Sequence, residues 1–568
     1  MEKIPADDYF RPQLEALAHN PDERTDAFGG DLLFGTGGLR AKIAPGTNRM
    51  NNLVAGRAAQ GFANYLTKKY PGIERRVCVA YDTRECSKAF AGTVASVFAA
   101  SGFRVFLYAE PRPTPMLSFA VRHFEAHAGV MITASHNPKQ YNGFKAYNQT
   151  GGQLTDAASA EVEHEINRLD VFGVRRHLES QAADPANIIM LGKDFDDVYC
   201  EAVTKYLPRT DYAARHGDCL RLIYTPLFGT GATPVQALLE RLGYNVHLVE
   251  EQSAPNGAFP GLRKPNPEEK EVFALAIEKA KTIRPDIIFA TDPDADRIGV
   301  LAQNGDAYEV LSGSQTGALL AAYLIEAKAH SMQNPAIVTT IVTGTLAQRI
   351  CEANGTAVAL VLTGFKYIGE RMDAWKADGS HTFLFGFEES FGYLVGDASR
   401  DKDAVITSAL VAEMALWYKR EKNQTLYEAL QSLYQTYGPV SETLLELEAP
   451  EPNGQLLVEK IMRHARTNYA AFLPDETVVA LEDYQSSVRH DLQSGTSEPL
   501  TLPVSNVIKL FFADGAWLVL RPSGTEPKIK LYICTNNAFG TGATLADAKT
   551  RCAILKVKLE ITLNALLK

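Results

Sequence analysis

The sequence predicts an α/β protein of several domains, with mixed, mainly parallel sheets followed by a smaller α+β unit. The chain has 568 residues, a length that corresponds to about three to five domains. Short apolar runs alternate with helical stretches over about 420 residues, and this alternation is typical of βαβ units. Beyond residue 507 the pattern changes to paired apolar runs, which are typical of antiparallel strands.

The predicted elements follow one another in order along the chain. We expect strands at 76–83, 103–108 and 128–133, with a helix over 91–102 that ends at a glycine. The order then recurs, with strands at 220–225, 245–250, 286–291 and 297–302 and helices at 233–244 and 269–283. Near the C-terminal end, 507–522 predicts two strands joined across Asp514 and Gly515. The stretch 437–455 is rich in Pro, Glu and Gly and is the expected linker to the last unit.

Composition argues against several classes of protein. The chain has 57 Lys and Arg against 67 Asp and Glu, a formal charge of −10, whereas general nucleic-acid binders are usually basic. No apolar run reaches the roughly 18 residues of a membrane span, and the N-terminal segment lacks the basic and apolar regions of a signal peptide. The seven cysteines are scattered without a C-x-x-C pair, which suits reduced thiols. We therefore expect a cytoplasmic protein with no nucleic-acid or membrane partner.

A serine-containing loop follows the predicted strand at 128–133, in the segment TASHNPKQYNGFKAY (133–147). Alone, Ser135 could simply cap a helix or close a turn. Its neighbours favour a functional loop, because His136 is adjacent, Gly143 lets the backbone approach a ligand, and Lys145 supplies a cation or a proton donor. The segment has no G-x-S-x-G elbow, which argues against an α/β-hydrolase nucleophile. Ser135, His136 and Lys145 are candidate catalytic residues.

An acidic loop, TDPDADR (291–297), lies between two predicted strands and places Asp292, Asp294 and Asp296 at alternate positions. Carboxylates this close repel one another unless a cation joins them, and oxygen ligands favour magnesium or calcium over zinc. An EF-hand loop is excluded because Arg297 and Gln303 stand where that loop needs Gly and Glu. A solvated acidic turn is the alternative. Arg297 adds a positive charge suited to an anionic ligand.

A third segment, RPSGTEPKIK (521–530), follows the predicted hairpin. Arg521 can hold a phosphate with two parallel hydrogen bonds. Ser523, Gly524 and Thr525 can add hydroxyl groups and successive backbone N–H groups that form an anion-binding nest. The lysines further along the segment could equally be the exposed face of a strand.

Three other loops give weaker signals. FGTGGLR (34–40) is rich in glycine and ends in Arg40. TGFKYIGE (363–370) offers Lys366, and GFEESFGY (386–393) carries Glu388 and Ser390, which suit vicinal sugar hydroxyls. Taken singly, these segments could be ordinary turns or helix starts.

Five of these segments and their order along the chain resemble the α-D-phosphohexomutase superfamily, which includes phosphoglucomutases and phosphomannomutases; they are FGTGGLR, TASHNPKQYNGFKAY, TDPDADR, GFEESFGY and RPSGTEPKIK. The resemblance covers nearly the whole chain and is strongest to the branch that also contains phosphopentomutases and glucose-1,6-bisphosphate synthases. It implies three related α/β domains and a smaller C-terminal α+β domain around a central cleft. We place the boundaries at 1–205, 206–310, 311–436 and 437–568.

The resemblance also implies a role for each candidate residue. Ser135 would carry the phosphoryl group, and a phosphoryl oxygen on it would join Asp292, Asp294 and Asp296 in holding Mg²⁺. Arg40, Lys145 and Arg297 would surround that group, with Lys145 as a general acid/base. The sugar hydroxyls would contact Glu388 and Ser390, Lys366 would lie in the loop that recognises sugar orientation, and the resident phosphate would contact Arg521, Ser523, Gly524 and Thr525. Ala295 stands where many relatives have glycine, which changes no ligand.

The implied reaction is interconversion of glucose 1-phosphate and glucose 6-phosphate through a bisphosphate, with glucose 1,6-bisphosphate as primer. A phosphopentomutase or a bisphosphate synthase of the same branch remains an alternative, as do a non-catalytic sugar-phosphate-binding protein and a metal-dependent phosphatase. The substrate would be a small phosphosugar. The sequence leaves the choice between monomer and homodimer open.

Overall fold

The computed structural model describes residues 9–35, 37–174, 187–449, 454–523, 528–536 and 542–567. Four sheets follow one another along these ranges. The predicted α/β architecture, with mixed sheets and an antiparallel C-terminal unit, is confirmed. Of the helices in these ranges, none has both the length and the apolar character needed to cross a bilayer. All seven cysteines lie within them as free thiols.

The first sheet carries the serine loop. Its strands are β1 (Gly38–Lys42), β2 (Arg75–Tyr81), β3 (Phe103–Tyr108), β4 (Ala128–Ile132), β5 (Tyr141–Asn148) and β6 (Ile188–Leu191), in the order β1-β5-β4-β2-β3-β6. The helices are α1 (Arg11–Leu17), α2 (Pro21–Phe28), α3 (Asn52–Lys69), α4 (Ser87–Ala100), α5 (Thr114–His123) and α6 (Asp156–Asn167). Central strands β2, β3, β4 and β6 are parallel, whereas β5 and β1 are antiparallel additions. Strand β4 is buried along its whole length, as expected of a strand covered by helices on both faces.

The second sheet carries the acidic loop. Its strands are β7 (Leu222–Thr225), β8 (Val246–Leu248), β9 (Ile287–Thr291), β10 (Ile298–Asn304) and β11 (Ala307–Leu311), in the order β11-β10-β9-β7-β8. The accompanying helices are α7 (Lys193–Thr204), α8 (Thr210–His216), α9 (Ala232–Arg241) and α10 (Ala274–Ile283). Strands β9 and β10 are antiparallel neighbours, with Thr291 opposite Ile298. The acidic segment is therefore the tight connection of a hairpin.

The third sheet is mixed as well. Its strands are β12 (Pro335–Thr340), β13 (Ala357–Val361), β14 (Thr382–Glu388) and β15 (Gly392–Val395), in the order β13-β12-β14-β15. The helices are α11 (Gly313–Lys328), α12 (Leu346–Ala353), α13 (Phe365–Asp378), α14 (Ala404–Trp417) and α15 (Leu426–Tyr437). Helix α14 is buried on all sides, and one apolar core joins residues of the first three sheets and their helices. The three units therefore pack as one body around shared core helices.

The C-terminal unit is an antiparallel sheet with helices. Its strands are β16 (Val440–Glu448), β17 (Val478–Asp483), β18 (Val488–Asp491), β19 (Ser497–Pro499), β20 (Ile508–Phe512), β21 (Trp517–Pro522) and β22 (Lys528–Asn536), and its helices are α16 (Gly454–Thr467), α17 (Tyr469–Phe472) and α18 (Leu545–Leu567). The predicted hairpin at 507–522 is confirmed as β20 and β21, with Gly515 at φ +83° in the turn.

The expected linker at 437–455 is wrong for its central part. Residues Val440–Glu448 form strand β16, which pairs antiparallel with β22 along its whole length. Residues 450–453 lie outside the described ranges. From Leu444 onward every second residue is exposed (Leu444, Glu446 and Glu448), while Leu445 and Leu447 between them pack half-buried against the core of the fourth unit. The polar composition thus reflects a half-exposed strand.

Candidate active site

The serine loop begins where β4 ends, and its backbone is held in an unusual conformation. Ser135 is buried and has φ +53°, in the left-handed region, which L-residues adopt only at a cost. Its N–H donates to Thr133 Oγ1 over 2.7 Å. The Ser135 hydroxyl donates to Asp292 Oδ2 over 2.9 Å and lies 3.1 Å from His136 Nδ1. The predicted serine loop of the first sheet therefore meets the predicted acidic loop of the second.

The three aspartates form one buried cluster. One carboxylate oxygen from each of Asp292, Asp294 and Asp296 lies within 4.8 Å of the others, and all three side chains are almost wholly buried. Asp292 Oδ1 accepts the N–H groups of Asp296 and Arg297, at 3.1 and 3.0 Å. Ala295 makes the turn at φ +45°, a left-handed conformation that glycine adopts without strain.

Two buried lysines neutralise part of this charge. Lys145, on β5, donates to Asp294 Oδ2 at 2.8 Å and to Asp296 Oδ2 at 3.2 Å. Lys402, from the segment after β15, lies 3.2 Å from Asp296 Oδ2 and 3.1 Å from Asp401 Oδ1. Each of the first three units thus contributes at least one charged side chain to this cluster.

The pKa values of these groups reflect the crowding of like charges. Burial, together with the nearby Asp294 and Asp296, raises the pKa of Asp292 well above its usual range. Burial acts the same way on Asp296, but Lys145 and Lys402 outweigh it and hold the pKa of that carboxyl below its usual range. The lysines satisfy Asp296 and leave Asp292 short of positive charge.

The cluster fits a divalent cation with oxygen ligands. Oδ1 of Asp294 and Oδ1 of Asp296 are buried and have no hydrogen-bond partner among the described residues, although buried polar atoms are normally paired. Carboxylate oxygens are the ligands that Mg²⁺ prefers. Unpartnered oxygens on two of three clustered carboxylates, beside a third with a raised pKa, are therefore consistent with the predicted magnesium site.

The remaining basic candidates surround the serine loop. Arg297 donates to Glu268 Oε1 at 2.6 Å and lies 3.8 Å from Asp296 Oδ1. Arg40 is an exposed residue of β1 that donates to Asn137 Oδ1 at 3.3 Å. Desolvation and the charges of Arg297 and Arg40 lower the pKa of His136 well below its ordinary value. His136 is therefore a neutral imidazole at neutral pH.

The loop expected to read the sugar contacts the acidic loop directly. Arg297 and Gly392 form an isolated β-bridge, and Ile298 N–H donates to the Phe391 carbonyl over 3.1 Å. Glu388 is buried at the end of β14 and accepts the Gly364 N–H over 2.7 Å. Ser390 lies half-buried in the turn that follows. Two of the predicted sugar-binding segments, 363–370 and 386–393, are therefore adjacent.

Lys366 has a partner from another unit. Its ammonium donates to Asp156 Oδ1 over 2.5 Å, and Tyr367 donates to the other oxygen of the same carboxylate over 2.8 Å. Asp156 is the first residue of α6 in the first unit. The predicted sugar-orientation loop is thus attached to the unit that carries Ser135.

The predicted phosphate loop is described in part. Arg521 lies on β21 near Tyr532 of β22, a buried tyrosine whose pKa is raised by burial and by the nearby Glu389, while the charge of Arg521 acts in the opposite direction. Ser523 donates its N–H to the Lys528 carbonyl over 2.8 Å. Gly524 and Thr525 lie outside the described residues. The fourth unit therefore approaches the 386–393 loop of the third unit at Tyr532, close to Arg521.

Sequence reasoning missed several residues that shape the site. Thr114 donates its hydroxyl to Asp294 Oδ2 and its N–H to the Asp294 carbonyl, at 2.8 and 2.9 Å. Lys402 could have been identified from the sequence, because RDKD (400–403) is an unusual run of charged residues before an apolar helix. Arg84, behind the serine loop, follows the predicted strand at 76–83 and gave no comparable signal.

A buried serine facing three carboxylates and two lysines suits phosphoryl transfer, in which catalysis is mostly positioning and stabilisation of charge. Four family models match the chain: phosphoglucomutase/phosphomannomutase domains I, II and III over 31–171, 197–305 and 312–437, and the C-terminal domain over 470–535. The chain belongs to this phosphoglucomutase/phosphomannomutase family.

The chain is also similar to individual proteins of this family. A phosphoglucomutase of Staphylococcus haemolyticus is 36% identical over 513 residues, which cover 89% of this chain and 90% of that protein. The crystal structure of parafusin, a phosphoglucomutase of Paramecium, in its open form, has a TM-score of 0.69 at 18% identity, covering 94% of this chain and 96% of that one. A phosphoglucomutase/phosphomannomutase family protein of Burkholderia thailandensis has a TM-score of 0.66 at 18% identity and covers 94% and 97%. These two structures support the fold.

Proposed function

We propose that this protein is a phosphoglucomutase that interconverts glucose 1-phosphate and glucose 6-phosphate through phosphorylated Ser135. The observation that carries the proposal is the 2.9 Å hydrogen bond from the Ser135 hydroxyl to Asp292, inside the cluster of three carboxylates. The phosphoglucomutase of Staphylococcus haemolyticus, 90% of whose length aligns with this chain, supports the choice of glucose. Glucose 1,6-bisphosphate is the proposed primer.

In the first half of the proposed reaction, the P–O bond to Ser135 breaks and a new P–O bond forms to the free hydroxyl of the sugar. The hydroxyl proton leaves, and the Ser135 oxygen takes up a proton. The bisphosphate then reorients within the cleft so that its other phosphate faces Ser135. Ser135 accepts that phosphate, with the reverse proton movements. Atoms balance, because one phosphoryl group enters the sugar and one leaves it.

The charges at the site suit this transfer. Asp292, Asp294 and Asp296 would hold Mg²⁺, which when bound would offset negative charge on the transferring phosphoryl group. Burial opposes the ammonium of Lys145, but Asp294 and Asp296 outweigh that effect and raise its pKa. Lys145 is therefore protonated at neutral pH; because its raised pKa makes it a weak acid, its main contribution would be positive charge beside the transferring phosphoryl group.

Binding of the sugar would use the residues of the third and fourth units. Glu388 and Ser390 would contact hydroxyl groups, while Lys366, held by Asp156, would contribute to the choice of orientation. Arg521, with Ser523, Gly524 and Thr525, would hold the phosphate that is not being transferred. Arg40, Arg297 and His136 would line the phosphoryl group on Ser135.

The domain boundaries at 1–205, 206–310, 311–436 and 437–568 are proposed with the function. One sheet lies in each range, apart from β11, whose last residue is Leu311. We also propose a cytoplasmic enzyme, which the free thiols support.

A substrate panel tests the function. Purified enzyme is assayed with glucose 1-phosphate, mannose 1-phosphate and ribose 1-phosphate, with Mg²⁺ and a bisphosphate primer. We expect glucose 1-phosphate to give the highest kcat/KM and no build-up of inorganic phosphate. A higher value for ribose 1-phosphate would identify a phosphopentomutase, accumulation of a hexose bisphosphate would identify a synthase, and free phosphate would identify a phosphatase.

Ser135→Ala is the test variant within this panel, and Ser253→Ala is its matched control. The Ser253 hydroxyl donates to the Glu250 carbonyl within its own turn, so its removal should leave turnover unchanged. Ser135→Ala should abolish turnover and keep the fold. Mutase activity in Ser135→Ala would refute the proposed nucleophile.

A further inference from the structure

A buried arginine lies directly behind the serine loop. The Arg84 side chain is fully buried, and its guanidinium donates to the carbonyls of Ser135 and Asn137 over 2.5 and 2.6 Å. It also donates to the carbonyls of Pro138 and Tyr141 over 2.9 and 3.1 Å. One side chain thus holds four carbonyls of a single loop. Five donors on a rigid planar group are what such a contact requires.

The arginine is itself held in place by Asp82. Arg84 Nε lies 3.2 Å from Asp82 Oδ2, and the same oxygen accepts the Thr133 hydroxyl over 2.6 Å. Thr133 Oγ1 in turn accepts the Ser135 N–H. Arg84 therefore binds the Ser135 carbonyl directly. The Ser135 N–H is bound by Thr133, whose hydroxyl is bound in turn by Asp82, the partner of Arg84. Both peptide groups of a residue at φ +53° are fixed.

The guanidinium also contacts the unit that carries the aspartates. Its central carbon lies 5.0 Å from the centre of the buried Phe259 ring, a cation–π distance. Beside it, a Cβ added to Gly257 would lie 2.5 Å from Glu85 N and 2.7 Å from Thr83 O. Residues 257–259 therefore press against 83–85, and only a glycine permits this approach.

We propose that Arg84 is a positioning residue for phosphoryl transfer, which keeps the Ser135 oxygen aimed at the aspartate cluster by holding the serine loop and the 257–259 segment together. This inference rests on the proposed function. Among the described residues, Arg84 donates no hydrogen bond to Asp292, Asp294 or Asp296. It therefore acts on the reaction through the serine loop. A shift of about 1 Å in a reacting group can lower a rate by about 100-fold.

Arg84→Lys tests the proposal, because lysine keeps the buried charge beside Asp82 but cannot reach four carbonyls. We expect kcat for glucose 1-phosphate to fall by about 100-fold, with KM within about threefold of wild type, since the substrate contacts are intact. Arg76→Lys is the matched control. Arg76 lies on β2 in the same unit and donates to Glu74 and to the Phe124 carbonyl, so its change should leave kcat unaltered.

Two further variants keep the test decisive if Arg84→Lys does not fold. Thr133→Val removes the hydrogen bond to the Ser135 N–H without burying an unpaired charge, and Phe259→Leu removes the ring under the guanidinium. Each should lower kcat by about tenfold, with KM within about threefold of wild type. Wild-type kcat in both would overturn the proposal.

Failure of the positioning role and failure of the proposed function give different results. Wild-type enzyme that turns over no sugar phosphate and gains no phosphate on Ser135 from glucose 1,6-bisphosphate would refute the function. Active wild type beside an equally active, folded Arg84→Lys would refute the positioning role alone. A loss confined to KM would also refute it, because it would place Arg84 in substrate binding.

Discussion

Lys509 provides a test of the contact between the third and fourth units. This lysine lies buried on β20 and donates to the Ile341 carbonyl over 2.7 Å. Its ammonium is 4.4 Å from the centre of the Trp517 ring. Burial lowers the pKa of Lys509 to about 8, although Glu482 acts in the opposite direction. We consider the variant Lys509→Met, which keeps the length of the side chain and removes the charge.

The magnitude follows from the pKa difference between the two states. Because the pKa falls from 10.5 to about 8 on folding, charging Lys509 in the native protein at pH 7 costs about 3 kcal/mol. Between pH 8 and 10.5 the unfolded chain holds one proton more than the native protein, so stability rises with pH. The same relation gives a rise of about 2 kcal/mol between pH 7 and 9.5 in wild type that the methionine variant lacks.

The assay is urea unfolding of wild type and Lys509→Met at pH 7 and pH 9.5. At pH 7 the variant should be the more stable protein by about 1–2 kcal/mol, because loss of the Ile341 hydrogen bond, about 1 kcal/mol, offsets part of the gain. At pH 9.5 this advantage should disappear. Lys460→Met is the control, since Lys460 also donates to a carbonyl, that of Leu566, but at an exposed position. A difference between wild type and Lys509→Met that does not change with pH would refute the reasoning.

Three further predictions concern the site. Asp294→Asn should lower kcat by about 100-fold and raise the Mg²⁺ concentration for half-maximal rate, and an unchanged magnesium titration would contradict the assigned ligand. Lys402→Met should lower both the thermal midpoint and kcat, because breaking a buried pair costs about 3–5 kcal/mol; the exposed Lys376→Met should alter neither. Arg521→Ala, assayed as phosphorylated enzyme, should raise KM by roughly ten- to 150-fold, and a collapse of kcat at unchanged KM would place Arg521 in the chemical step.

Much of the fold could be predicted because its signals are local. The strand at 103–108 and the hairpin at 507–522 depend on runs of apolar residues and on one Asp-Gly turn, and the structure has both. The pairing of β16 with β22 joins residues 80 to 96 positions apart along the chain and leaves no local trace. Polar composition at 437–455 therefore suggested a linker where a half-exposed strand lies.

The site was predictable where chemistry needs several special residues together. Three aspartates at alternate positions and a serine loop with a lysine each gave a signal within one segment, and the structure brings Ser135, Lys145 and Asp292 into contact range of one cluster. Thr114, the first residue of α5, and Arg84 are single residues in segments with no other unusual feature. Their importance comes from tertiary contacts, which no spacing in the sequence encodes.

The most direct test of the account follows one phosphoryl group. Enzyme is labelled with radioactive phosphate from glucose 1,6-bisphosphate, the labelled peptide is identified by mass spectrometry, and the labelled enzyme is then mixed with excess unlabelled glucose 1-phosphate. The account predicts label on Ser135 within 133–147 and its transfer to hexose bisphosphate in a single turnover. Label on another residue, or release of the label as inorganic phosphate, would contradict it.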